Sequence, residues 1–440
     1  MQLIALRRIF VAISLLAILL AGPSSCSNKP ESSAEPVPVT LEHDNDGNYR
    51  VYRGGESYFI KGAGGSSRLD LLMASGGNSI RTWTTSDAER ILDEAHERGL
   101  TVMLGIWLQH ERHGFDYDDE EAVARQKEEA REKILRYRDH PALMAWGLGN
   151  EVNLRYTNTR VWHAVEDIAK MAKELAPNQL VTTVLAGIND ENAYLIKEKV
   201  PSIDFLSINT YGGLDHLPQR VRETVWDGPY AVTEWGPTGH WQVDRTDWDV
   251  PIEPTSTEKS EQYRSRYQNS ILGDSERCIG SYTFLWGQKQ ETTPTWFGLF
   301  LETGEITEVV DAMHYNWTGE WPEERAPSIH SLTIDGQSAR DNIYLNPGDT
   351  YSASVEGSHP HGQAYEVRWE FLPESTDIRI GGDPEERPET IPGLEVEKDG
   401  ETLVFRAPGT PGPYRLFTYL VTAENRAATA NIPFYVREDN

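Results

Sequence analysis

Between Tyr58 and about Gly287, short apolar, β-branched runs alternate with segments of helical period, the pattern of βαβ units around a parallel sheet. Eight such runs are present: Tyr58–Gly62, Ser79–Trp83, Thr101–Leu108, Met144–Val152, Leu180–Leu185, Phe205–Tyr211, Tyr230–Trp235 and Cys278–Trp286. Eight strands, each followed by a plausible helix, predict an α/β fold with a (β/α)8 TIM barrel. Ser86-Asp87-Ala88-Glu89 reads as a capping box opening a helix that carries Ile91, Leu92 and Ala95 and closes at Gly99. A doubly wound open sheet is the alternative, but Gly62-Ala63-Gly64-Gly65 after the first run lacks the GxGxxG spacing of a phosphate turn.

The flanks follow other periods. Val39 to Ser57 predicts a β-hairpin turning at Asp44-Asn45-Asp46-Gly47 and covering the bottom of the barrel, and Ile306 to Trp317 suits a last helix. Composition shifts to Pro and Glu at Gly319 to Pro327, and strict alternation then returns in Tyr351–Val355, Tyr365–Phe371, Thr402–Arg406, Tyr414–Thr422 and Thr429–Val436. These short strands predict a C-terminal immunoglobulin-like β-sandwich without the cysteine pair. The expected organisation is a barrel with its hairpin over 40–320 and a sandwich over 327–440.

Residues 1–26 combine Arg7-Arg8, an apolar run from Ile9 to Ala21 and small residues ending in Cys26. The run is too short for a stable span and reads as an export signal. Its closing cysteine resembles a bacterial lipoprotein signal, which implies lipidation of Cys26, with residues 27–39 as a Ser/Pro/Glu-rich tether. The expected location is the cell envelope, or secretion if the signal is simply cleaved, with membrane contact through the lipid only and a monomer as the default state. The other cysteine, Cys278, sits in an apolar run and is expected to be a core residue.

Charge narrows the partners. The 440 residues carry 69 acidic and 41 basic side chains, a net charge of −28. Such a surface repels phosphate backbones and anionic lipids, which disfavours nucleic acid and, unless a local basic pocket exists, polyanionic substrates. A neutral ligand fits best.

In a barrel of this type, chemistry sits where strands end. The fourth run ends Trp146-Gly147-Leu148-Gly149-Asn150-Glu151 and the seventh ends Thr233-Glu234-Trp235-Gly236. Two carboxylates on strands three apart in a ring of eight face each other across the mouth. One can protonate a leaving oxygen while the other attacks carbon, as glycoside hydrolysis with retention requires at a separation of about 5–5.5 Å. Either glutamate alone would be an ordinary surface carboxylate. Together, each closing an apolar strand beside aromatics, they would be costly without a function or a partner.

Asp139-His140-Pro141 through Asn150-Glu151 closely resembles the acid/base segment of glycoside hydrolase family 2. Asn78-Ser79-Ile80-Arg81-Thr82-Trp83, Ser207-Ile208-Asn209-Thr210-Tyr211 and Thr233-Glu234-Trp235-Gly236 resemble its second, sixth and nucleophile strands in the same order. The resemblance spans roughly 48–320 and implies Glu151 as acid/base, Glu234 as nucleophile and Asn150 as donor to the sugar's 2-hydroxyl. Arg81 and Tyr211 would hold Glu234 ionised, and Trp286 would floor the subsite of the cleaved ring. The chain departs from the full family pattern in lacking the N-terminal jelly-roll and immunoglobulin-like domains. Tyr58–Gly62 also resembles the first strand of barrels acting on β-1,3-glucan, including transglycosylating ones.

Six tryptophans at or beyond strand ends, Trp83, Trp107, Trp235, Trp241, Trp286 and Trp296, favour a cleft for several sugar rings, weighed against a role as ordinary core aromatics. His110-Glu111-Arg112-His113 after the third run is a poor metal site, lacking a third ligand at suitable spacing. Trp107 or His110 is instead expected to meet sugar hydroxyls, and neither metal nor cofactor is expected. The resulting expectation is a retaining β-glycosidase on a polysaccharide or oligosaccharide, β-1,3-glucan first. A β-glucan transglycosylase and a β-galactosidase or β-mannanase are the enzymic alternatives, and a glycan-binding lipoprotein is the non-enzymic one.

Overall fold

The computed structural model describes residues 35–438, so the signal, Cys26 and most of the tether lie outside the described residues. Eight parallel strands close a barrel: Ile60–Gly64, Ser79–Arg81, Thr101–Ile106, Leu143–Leu148, Leu180–Ala186, Phe205–Asn209, Tyr230–Trp235 and Cys278–Thr283. Helices such as Ala88–Glu97, Glu120–Tyr137 and Val161–Leu175 follow the strands and bury their apolar stripes against them. Burial of Ile91, Leu92 and Ala95 is what holds the first of these in place. The predicted capping box at its start does not form, because Asp87 lies in the left-handed region at φ 53° and its side chain caps nothing. A capping box exists instead between Thr255 and Glu258.

The N-terminal segment is a three-stranded antiparallel sheet, Val39–His43, Tyr49–Arg53 and Glu56–Tyr58, rather than a simple hairpin. The run from Tyr58 to Gly62 is therefore divided, and the barrel begins at Ile60. Val39 and Val51 pack with Ile60, Leu180, Phe205 and Ile279, plugging the barrel where its strands start. Cys278 is buried in the barrel core.

The C-terminal region of alternating sequence folds into two facing, mainly antiparallel sheets. One orders Ile306–Thr307, Arg426–Val436, Gly412–Thr422 and Tyr365–Pro373; the other orders Ser328–Ile334, Thr350–Ser358, Thr402–Arg406 and Glu395–Asp399. Their inner faces meet through Trp369, Phe371, Phe405, Leu416 and Phe434. Ile306–Thr307, expected to start the last helix, is instead a short strand paired in parallel with Arg426 and Ala427, and the helix runs Glu308–Thr318. Polar bonds add to this join. Arg426 Nη1 donates to Asp311 at 3.0 Å, Arg415 Nη2 to the Pro251 carbonyl at 2.9 Å, and Asn431 Nδ2 to the buried Glu253 at 2.6 Å. Barrel and sandwich thus share an ordered joint, with a sandwich strand as the partner of a barrel-side strand.

Candidate active site

Strand periodicity aims Glu234 inward and, for the same reason, Trp235 outward. Glu234 is only 6% exposed and is gripped at both oxygens. Arg81 Nη1 and Trp83 Nε1 donate to Oε1 at 2.9 and 2.7 Å, and the Tyr211 hydroxyl donates to Oε2 at 3.0 Å. Three donors, one of them a cation, thus fix both carboxylate oxygens in place. Tyr211 stays a donor, since burial and the neighbouring Glu234 push its phenol well above the usual range.

Across the mouth, Glu151 sits at φ 53°, a conformation that costs a non-glycine residue on the order of 1–3 kcal/mol. Its N–H donates to the Val184 carbonyl at 2.9 Å, which ties this turn to the next strand. Burial first, and then the charge of Glu234, push its carboxyl up to about 7. Asn209 opposes that shift by donating from Nδ2 to Glu151 Oε1 at 2.9 Å. The two carboxyls therefore differ in surroundings: Glu234 is gripped by three donors, and Glu151 holds its proton to near neutrality.

Asn150 links the halves. Its Oδ1 accepts from Arg81 Nη2 at 2.7 Å and from Asn209 Nδ2 at 3.2 Å, and its amide NH2 has no hydrogen-bond acceptor among the described residues. Asn209 was not singled out from the sequence, although it ends the sixth strand in register with Glu234. The rule that strand ends carry the chemistry would have found it.

A cavity of about 530 Å³ opens beside Glu151, and Tyr211, which donates to Glu234, forms part of its wall. Its wall includes Glu151, Asn209, Tyr211, His240, Trp241, Phe284 and Glu291 from the barrel, Arg155 from a loop, Arg220 from the helix Leu217–Glu223, and Arg379, Ile380, Gly381 and Gly382 from the sandwich. Phe284, His240, Glu291 and the sandwich residues had no signal in the sequence. Glu291 is held below the usual carboxylate range by His240 and Lys289 despite its burial.

Several expected sugar contacts fall elsewhere. Trp286 is 1% exposed and packs edge-on against Phe300, with Trp317 beside it, so it floors no subsite. The eighth strand ends at Thr283, and Phe284 takes the place in the cavity wall. Trp235 packs outward on Tyr263 and Tyr267, and Trp296 is buried with Nε1 donating to the Thr238 carbonyl at 3.1 Å. Trp83 is spent on Glu234. Trp107 stacks on His110 at a centroid distance of 4.8 Å, and neither lines the cavity. His110 is 2% exposed, burial pulls its imidazole down to about 4, and its Nδ1 accepts from Arg112 Nε at 3.1 Å. Of the six tryptophans, Trp241 alone lines the cavity, and it is 54% exposed. A cleft paved for several rings is therefore not what the tryptophans build.

Residues 67–233 match the model of the family described as glycosyl hydrolases family 2, TIM barrel domain. Over those residues the barrel is similar to the glycosyl hydrolase family 2 barrel. The matched segment contains Glu151 and stops one residue short of Glu234. Among solved structures, the fold is similar to Bacteroides uniformis β-glucuronidase 2 bound covalently to cyclophellitol-6-carboxylate aziridine, at 15% identity and a TM-score of 0.50, covering 91% of this chain and 48% of that one. The Dictyoglomus thermophilum β-D-glucuronidase aligns at 18% identity and a TM-score of 0.49, covering 65% and 55%. The Faecalibacterium prausnitzii β-glucuronidase aligns at 17% and 0.49, covering 64% and 52%. This chain thus spans about half the length of these structures.

Proposed function

We propose that this chain is a retaining β-glycoside hydrolase working through Glu234 and Glu151. The observation that carries the reading is the pair of facing carboxyl groups in unlike surroundings, Glu234 gripped by Arg81, Trp83 and Tyr211, and Glu151 pushed up to about 7 by burial. In the first step Glu234 forms a bond to the anomeric carbon as the glycosidic C–O bond breaks, and the Glu151 proton passes to the departing oxygen. In the second, water adds to that carbon as the ester bond to Glu234 breaks, and Glu151 takes the proton back. The amide of Asn150 is placed to donate to a substrate hydroxyl.

The substrate we favour is a neutral β-linked glucan, β-1,3 first, consistent with the chain's net charge of −28. A second reading is favoured by Arg155, Arg220 and Arg379 around the cavity, which would suit a sugar bearing a carboxylate. Export, with lipidation at Cys26, completes the proposal and places a monomer at the cell envelope.

The test is incubation of residues 27–440 with aryl β-glycosides of glucose, galactose, mannose and glucuronic acid and with β-glucans, β-galactans and β-mannans, following the newborn anomer by NMR. A β-anomer formed first, lost in Glu234→Gln, is the expected result. Glu151→Gln should lose about 10²–10⁴-fold on poor leaving groups and far less on activated ones. Full activity in both variants would sink the assignment.

A further inference from the structure

The long connection between the sandwich strands ending at Pro373 and beginning at Glu395 does not stay on the sandwich. It crosses to the mouth of the barrel, and its residues Arg379–Gly382 form part of the cavity wall. Two anchors at separate places on the rim hold it. At one, after the third barrel strand, Arg112 pairs in bidentate fashion with Asp383 at 2.7 and 3.1 Å and donates to the Ile380 carbonyl at 3.1 Å. His113 Nε2 lies 3.0 Å from the same carboxylate. At the other, after the eighth strand, Lys289 Nζ donates to the Gly382 carbonyl at 2.7 Å and the Thr292 N–H to Glu385 at 2.6 Å. Strands three and eight are three apart in a ring of eight, so a loop tied beside both crosses part of the mouth.

The strap also fits closely. Gly381 and Gly382 take φ 65° and 72°. A Cβ at Gly381 would come within 2.7 Å of Leu154 Cδ2, and one at Gly382 within 2.8 Å of Lys289 Nζ, so both positions need a residue without a side chain. Leu154 is three residues beyond Glu151, and the charge of Arg112 is felt at the Glu151 carboxyl. The strap therefore stands on the proton donor's side of the site, where the departing part of a glycoside must lie.

We propose that the sandwich supplies a substrate-contacting wall of the active site, in which Arg379 and Ile380 bear on the leaving portion of a glycan and Arg112 and Asp383 act as positioning residues. This rests on the hydrolase reading above. An arginine and an isoleucine side by side suit a further pyranose ring, which offers hydroxyls and an apolar face, better than a small aryl group.

The experiment compares two substrates with one glycone, the 4-nitrophenyl glycoside that the wild type cleaves and the trisaccharide of the same sugar. The variants are Arg379→Ala, Gly381→Ala, Asp383→Ala, Arg112→Ala and the Arg112→Ala/Asp383→Ala double, each checked by thermal melting. In every variant the ratio of kcat/KM for trisaccharide over aryl glycoside should fall about tenfold, mostly through KM. The double variant should lose no more than either single, because both break one clamp. Equal losses on both substrates, or none, would overturn the proposal while leaving the hydrolase intact. A wild type inert on every glycoside would overturn the hydrolase reading, and this one with it.

Discussion

Asn209 offers a direct test of how the proton on Glu151 is held. Its Nδ2 donates to Glu151 Oε1 at 2.9 Å, and its Oδ1 is fixed by the Thr233 hydroxyl at 2.9 Å. A donor to a carboxylate stabilises the charged form, so it works against the burial and the Glu234 charge that push this carboxyl up to about 7. Asn209→Ala removes that donor. A hydrogen bond to a charged group contributes about 1.5 kcal/mol at the low end, equivalent to about one pH unit. With the charged form less favoured, the carboxyl moves further up. The alkaline limb of kcat/KM, which reports loss of the Glu151 proton in the free enzyme, should shift from near pH 7 toward pH 8. The maximal rate should fall, since Asn209 also donates to Asn150 at 3.2 Å. The assay is kcat/KM against pH on an activated aryl glycoside. A limb that stays in place, or moves to lower pH, would refute the account of Glu151.

Three further outcomes are expected. Arg81→Lys cannot donate at once to Glu234, Asn150 and the Thr233 carbonyl, as the guanidinium does, and should cost about 10²-fold in kcat through misplacement of Glu234, measured at saturating substrate. Trp241→Ala should raise KM, whereas Trp286→Ala should leave KM alone and cost about 3–5 kcal/mol of stability, read by denaturant unfolding. Glu308, buried among Ser256, Thr257 and Ser328 where barrel meets sandwich, is pushed up to about 7 by burial. Its folded-state value lies above the unfolded one, so the native state binds the extra proton between about pH 4.5 and 7, and stability should decline by roughly 3 kcal/mol across that window. Glu308→Gln should flatten that slope, and an unchanged slope in urea melts would count against it.

What the linear order of residues determined by itself was the barrel and the pair of glutamates. Each barrel strand is a local run of apolar, β-branched residues between helices, and a parallel barrel forces strand ends to one rim, so Glu151 and Glu234 were legible from position, while Asn150, Arg81 and Tyr211 entered through the family resemblance. The period of two already implied that Trp235 must point away if Glu234 points in, and that signal lay unused. The N-terminal hairpin and five sandwich strands were readable for the same local reason, but the third N-terminal strand was not, nor was Ile306–Thr307, whose strand state depends on a partner more than a hundred residues away. Tertiary structure alone decided which aromatics reach the cavity. Trp286 and Phe284 are two residues apart in one apolar segment, and only the path of the chain after Thr283 buries the first and exposes the second to the site. It alone also decided that Arg379–Gly382 belong to the same cavity as Glu151. Nothing local marks a Gly-Gly turn between sandwich strands as part of an active site, because its role comes from the Arg112–Asp383 clamp, an attraction between groups far apart along the chain that exists only once both domains have folded together.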